Sequence, residues 1–174
     1  EWGQPAVAIT DHGVVQAFPE AAKYKKKKKL DLKLIYGLEG YLLDDDDQAG
    51  AETIDYKSKG TNHIILLART QEGLKNIYKL VSISHLQYFY RKPRIPRSVL
   101  QAHREGLIIG SACEAGEIFQ GVLNGISEER MEELISFYDY LEIQPIVNNR
   151  FLVQQGRVAD QEGLRDLNRQ IVQL

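Results

Sequence analysis

The stretch AVAITDHGVVQAFPEAAKYKKKK, residues 6–28, decides how the rest of the sequence is read. Ala6 to Ile9 have the character of a short buried strand, and the chain then presents a hydroxyl, a carboxylate, an imidazole and a glycine in succession at Thr10, Asp11, His12 and Gly13. A helical pattern follows over Ala17–Lys29, closing on a lysine run that suits the negative end of the helix dipole. A strand that ends in polar groups and hands over to a helix is the repeating unit of an α/β protein.

The same grammar recurs along the chain. Leu32–Tyr36, His63–Ala68 and Gly106–Gly110 read as strands, with Tyr140–Gln144 as a fifth that alternates more. Helical patterns lie over Gln71–Tyr88, Glu114–Leu123, Glu128–Asp139 and Gln161–Leu174; in the first, Leu74, Ile77, Tyr78, Leu80 and Val81 share one stripe. Strands alternating with helices predict parallel pairing through right-handed crossovers, and chemistry gathered at the carboxyl ends of the strands. Two stretches break the rhythm. Asp44–Gly60, with four consecutive aspartates, reads as a solvated linker, and Arg91–Ser98 (RKPRIPRS) as an extended basic loop whose prolines forbid a helix.

Composition sets bounds. With 174 residues, 43% hydrophobic and 26% charged, the chain has the balance of one globular domain. A net charge of −2 gives no domain-wide positive field for nucleic acid, so DNA is expected to be gripped elsewhere. The single cysteine excludes an internal disulfide framework and fits a reducing cytoplasm. No apolar run approaches about 18 residues, so no membrane span is expected. Residue 1 is not methionine, EWG at residues 1–3 reads as a helix tail entering a turn, and Leu174 falls inside an amphipathic pattern, so the sequence reads as a fragment of a longer protein.

If the strand ends converge, the polar groups there form a set: Asp11 and His12 after the first strand, Glu39 in YGLEGY, His63 opening HIILLA, and Cys113 closing LIIGSAC. Imidazole, carboxylate and thiolate are the usual ligands of zinc and similar divalent ions. Each residue alone has a plainer reading: His12 as a hydrogen-bonded turn residue, His63 as the polar start of a strand, Glu39 as a carboxylate satisfied by amides, Cys113 as an inert thiol. Spread over about a hundred residues, one to a strand, they look like part of a metal cluster at a barrel mouth and unlike a zinc finger. His85 and His103 read as surface residues, and Asp44–Asp47 as a loop without the preorganisation a cation needs.

AITDHGVVQAFPEA, IYGLEGYLLDD, GLKNIYKLVSISHLQYFYRKPRIPRS, GLIIGSACEAGEIFQGV and FYDYLEIQP together resemble the PHP domain (polymerase and histidinol phosphatase) of PolC-type DNA polymerase III alpha subunits of low-GC Gram-positive bacteria. The likeness covers nearly all of residues 1–174, and YFYRKPRIPRS with GSAC is far more discriminating than DHG. It implies a distorted seven-stranded βα barrel, incomplete here at both ends, with divalent ions at the strand ends: zinc, with manganese, iron or magnesium as the other candidates. His12, Glu39, His63 and Cys113 match the family's ligand positions, and Asp11 a partner orienting an imidazole. The family's opening His-x-His should lie before residue 1 and its closing acid-x-His beyond Leu174. Where the family usually carries an inserted proofreading exonuclease, near Asp44–Gly60, this sequence has only a short linker.

By the same resemblance the chain would serve a DNA-directed DNA polymerase, a nucleotidyltransferase, while itself lacking the polymerising site. The remainder of the polymerase chain and the replisome would be its partners, with DNA reached through other domains. Phosphoester hydrolysis is the chemistry expected of a complete metal site. A metal-binding scaffold without catalysis and a free-standing histidinol-phosphatase-like enzyme stand as alternatives.

Overall fold

A computed structural model of the chain describes residues 3–48 and 53–174, the side chain of Gln48 excepted. Glu1 and Trp2, on which the helix-tail reading rests, and the middle of the 44–60 linker lie outside the described residues. The chain divides into two compact units, Glu1–Ile108 and Ile109–Leu174. The first carries strands and helices, whereas the second is mostly helical.

The first unit is built around one long strand. β1 (Ala6–Ile9) is followed by α1 (Ala17–Lys28), and β2 (Lys33–Leu43) returns parallel to β1, with Ala6 opposite Lys33 and Ile9 opposite Tyr36. β3 (Asn62–Ala68) then pairs antiparallel with β2, Gly37 facing Leu67 and Leu42 facing Asn62. α2 (Gln71–Leu86) leads through β4 (Phe89–Tyr90) into β5 (Lys92–Pro96), which runs parallel along the last residues of β2. A short α3 (Arg97–Ala102) follows.

The sheet is therefore mixed, and the expectation of parallel pairing throughout is corrected. A parallel return needs a long crossover, usually a helix; between β2 and β3 the described chain holds only a single 3₁₀ turn, Asp46–Gln48.

A second correction concerns β2. The expected strand Leu32–Tyr36 continues through the glycines of YGLEGY as far as Leu43. A Cβ at Gly37 would stand 2.8 Å from the carbonyl oxygen of Leu66, so this glycine marks close approach between strands. Glu39 thus sits inside a strand, not after one. A third is RKPRIPRS, read as a loop. Lys92–Pro96 is a strand, and Pro96 stands just before Arg97, where a missing N–H costs a helix nothing.

The helix α3 is capped from a distance. Its flanking Pro96 gives no side-chain cap, and the backbone N–H and hydroxyl of Ser98 are both accepted by the carboxylate of Asp45, 4% exposed. The aspartate run read as a solvated loop therefore contains one buried, structural member. Nearby, the buried Arg94 guanidinium donates to the carbonyls of Tyr56 and Lys59 and ties down the same segment.

α2 packs on β3 and β5 through a face that includes the fully buried Ile77 and Leu80. Its start is held by Thr70, whose hydroxyl accepts from the Gly73 N–H at 3.1 Å. A Cβ at Gly73 would lie 1.8 Å from the carbonyl oxygen of Gly106, so only glycine fits there.

β6 (Leu107–Gly110) leads out of the first unit. The second unit carries α4 (Glu117–Asn124), α5 (Glu128–Ile135), α6 (Arg150–Gln154) and α7 (Gln161–Gln173), with Leu152, Leu164 and Ile171 buried. The buried Glu117 carboxylate accepts from the Tyr138 hydroxyl at 2.6 Å. The predicted strand Tyr140–Gln144 is reduced to one bridge, Gly110 with Tyr140. Side chains take the bonds a ladder would use: Asp139 accepts from the Ile109 N–H at 2.7 Å and Ser111 from the Glu142 N–H at 2.8 Å.

Candidate metal centre

Three segments of the first unit bring His12, Glu39 and His63 together. β1 stops at Ile9, but the chain touches β2 once more: Glu39 N–H donates to the Asp11 carbonyl at 3.1 Å, and Gly13 N–H donates to the Glu39 carbonyl at 2.8 Å. His12 is pinned between these two bonds. Gly13 has φ +69°, and a Cβ there would meet Pro93 Cγ at 2.7 Å, so the turn that presents His12 requires glycine.

On the antiparallel ladder Glu39 faces Ile65 and Tyr41 faces His63. Residues two apart share a face, so Glu39, Tyr41 and His63 lie on one side of the sheet. The other side carries Leu38, Leu42, Ile64 and Leu66, each 1% exposed or less.

The resulting distances are short. His63 Nδ1 lies 2.8 Å from Glu39 Oε1, and His12 Nε2 lies 3.6 Å from Glu39 Oε2. One ligand atom from each residue falls within 4.8 Å of the others, which makes the trio a set that could hold a metal ion. Ion–ligand bonds of about 2.0–2.2 Å put neighbouring donors on one tetrahedral ion about 3.3–3.6 Å apart, and the His12 Nε2–Glu39 Oε2 separation of 3.6 Å matches that value.

An ionised carboxylate only accepts, so in this arrangement Nδ1 of His63 carries the proton and Nε2 the lone pair. The side chains of Glu39 and His63 are 17% and 19% exposed, against 55% for His12, so the set is closed on two sides and open on the third.

Aromatic and basic groups flank it. The Tyr41 ring stands 5.3 Å from His63 and 6.1 Å from His12, and the Lys92 ammonium lies 4.5 Å from the Tyr41 ring centre. Burial first, and the charge of Arg94 second, pull the Lys92 amine below its ordinary range. Neither Tyr41 nor Lys92 was singled out in the sequence. Tyr41 was legible as the residue two beyond Glu39 once β2 is extended. Lys92 had no local signal, because only the register of β5 on β2 brings it there.

Asp11 contributes its carbonyl to the bridge with Glu39. Cys113 belongs to the second compact unit, half-buried just after Ala112, a residue with φ +60°. His85 is exposed and His103 half-buried, each with Nδ1 bonded to a backbone carbonyl four residues earlier. No helix among the described residues is long and apolar enough to cross a membrane.

The family model of the PHP domain matches residues 1–145. Among curated proteins, "DNA polymerase III PolC-type" of Clostridium perfringens is 57% identical over 121 residues, covering 70% of this chain and 8% of that protein. The protein of the same name from Bacillus subtilis is 40% identical over 168 residues, covering 97% of this chain and 12% of that protein. The chain thus spans about a tenth of the length of the curated relatives it matches. A solved structure from Bifidobacterium adolescentis, named as a candidate metal-dependent phosphoesterase, gives a TM-score of 0.45 at 14% identity over 80% of this chain and 67% of its own.

Proposed function

The chain belongs to the PHP domain family, and from that premise we propose that it acts as the PHP domain of a PolC-type DNA polymerase III. It binds divalent metal at His12, Glu39 and His63 for phosphoester hydrolysis, beside a structural role in the polymerase. The observation that carries the reading is the meeting of two imidazoles and a carboxylate, from three separate segments, within 4.8 Å. Catalytic metal sites keep a position open on three protein donors, whereas structural zinc sites are closed by four.

By the family resemblance Cys113 is a thiolate donor, which favours zinc over magnesium at its position, and manganese or iron suit the imidazole and carboxylate donors. Asp11 orients the neighbouring imidazole. By the resemblance, residues 1–174 belong to a domain of the family's distorted barrel type, with residues 44–60 at the point where the resembling polymerases insert an exonuclease. The remainder of the polymerase chain and the replisome are its partners, in the cytoplasm, and DNA is reached mainly through other domains.

A divalent ion supplies polarisation of a phosphoryl oxygen and a water acidic enough to lose its proton near neutral pH. The chain's own residues do the rest. Glu39 fixes the His63 ring by holding its Nδ1 proton, which leaves Nε2 free to donate. Tyr41 stands against both imidazoles and limits their rotation. His12, more than half exposed, is the side from which substrate and solvent reach the set.

Calorimetric titration of the purified chain with zinc and manganese tests this, alongside hydrolysis of bis-p-nitrophenyl phosphate. Metal binding that Glu39→Gln weakens about 10–100-fold is expected. Binding indifferent to both Glu39→Gln and His63→Ala would sink the site. A metal-loaded scaffold without turnover is the second reading, favoured by the small share of each relative that matches, since support of a longer chain needs no chemistry. Retained metal with no hydrolysis would select it.

A further inference from the structure

The C-terminal end of α1 and the start of β2 carry charge out of proportion to the chain. Between residues 23 and 33 seven lysines (Lys23, Lys25–Lys29 and Lys33) face one acid, Asp31, in a protein whose net charge is −2. The helix dipole rewards cations in the last turn only, at about 0.3–1 kcal/mol each when exposed. It gives no reason for Lys33, which lies beyond the helix in β2. Among the described residues no carboxylate pairs with any of the seven, although ion pairs are common on α2 and α7. Seven like charges left uncompensated repel one another, so the patch weakens the fold it sits on.

Four of these lysines border a groove of about 540 Å³. Lys25, Lys26, Lys29 and Lys33 line it together with apolar and aromatic side chains, among them Leu34 and Tyr36. Lys29, in the left-handed conformation at φ +50°, turns the chain at the helix end, so that helix and strand both contribute ammonium groups to one channel. A duplex offers only phosphates to such a surface, and an acidic peptide offers carboxylates without flat apolar groups. A single strand alternates phosphates with unpaired bases, which matches a cationic rim beside an aromatic and aliphatic lining.

We propose that the groove lined by Lys25, Lys26, Lys29 and Lys33 binds single-stranded nucleic acid, phosphates on the ammonium groups and a base against the apolar lining. The site is separate from the His12, Glu39 and His63 cluster and needs no metal. A locally basic channel on an acidic chain reconciles the absence of a domain-wide positive field with a nucleic-acid contact, since screening at physiological salt confines the interaction to about 8 Å.

Fluorescence anisotropy of a labelled oligothymidylate titrated with the purified chain, in the presence of a chelator, tests this. With four lysines engaged, log affinity is expected to fall against log salt with a slope of about −3, from about −0.7 per phosphate on a single strand. The variant K25E/K26E/K29E/K33E should bind at least about tenfold more weakly with a slope near zero. The matching arginine variant should keep both affinity and slope. Cooperative thermal melting by circular dichroism shows that both variants fold. An abasic strand of the same length should bind more weakly than oligothymidylate. Failure to bind at low salt, affinity unchanged by charge reversal, or preference for duplex or polyglutamate would each overturn the proposal.

Discussion

The two faces of the β2–β3 ladder use alternate residues of the same strands for opposite ends. One face, Leu38, Leu42, Ile64 and Leu66, is sealed from water. The other, one residue out of step, holds Glu39, Tyr41 and His63, all half-buried and polar. The period of two in a strand lets stability and chemistry be set independently, because a change on one face leaves the other's side chains in place. It also makes register decisive: a slip by one residue would bury Glu39 and His63 and expose the leucines.

The sealed face should give the largest effect when broken. Leu66→Ala is expected to lower the unfolding free energy by about 2–5 kcal/mol, read from urea denaturation of the metal-free chain. A loss below about 1 kcal/mol would mean that the core lies elsewhere. Polar groups are not all on the functional side of the divide. Asp45 is buried and caps α3, so Asp45→Ala should cost about 1.5–3 kcal/mol, a charge-assisted pair of bonds. Both should leave metal affinity untouched.

Glu39→Gln should reverse the pattern. Metal affinity falls about 10–100-fold in a zinc titration, while the unfolding free energy of the metal-free chain moves by about 1 kcal/mol or less. A large loss of stability with unaltered metal affinity would erase the distinction between the faces. Thr70→Ala sharpens the scale at its lower end. Loss of the hydroxyl that caps α2 is expected to lower stability by about 1 kcal/mol, and because Thr70 is not one of the three clustered donors, hydrolysis of the model phosphodiester should not change.

Much of this was legible in the sequence where the signal is local. The strand Ala6–Ile9 and the starts of α1, α2, α5 and α7 fall where patterning put them, because amphipathic period and capping act over one or two turns. What failed did so for non-local reasons. YGLEGY carries the glycines of a turn, and only the neighbouring strands reveal that they serve close approach. YLEIQ carries a strand pattern, but Asp139 and Ser111 intercept its hydrogen bonds. RKPRIPRS carries two prolines, and only pairing with β2 and a cap supplied by Asp45 explain why a strand and then a helix form there.

By itself the sequence determined the α/β alternation and the residue types at the candidate centre, since each follows from local chemistry, and the resemblance of its motifs carried the family. Which of those residues meet was left to the tertiary structure. Glu39 and His63 stand 24 positions apart along the chain, and their 2.8 Å contact exists because β2 and β3 pair antiparallel in one register. The placement of Tyr41 and Lys92 beside them has the same origin. Register is a property of paired strands, which no single segment encodes.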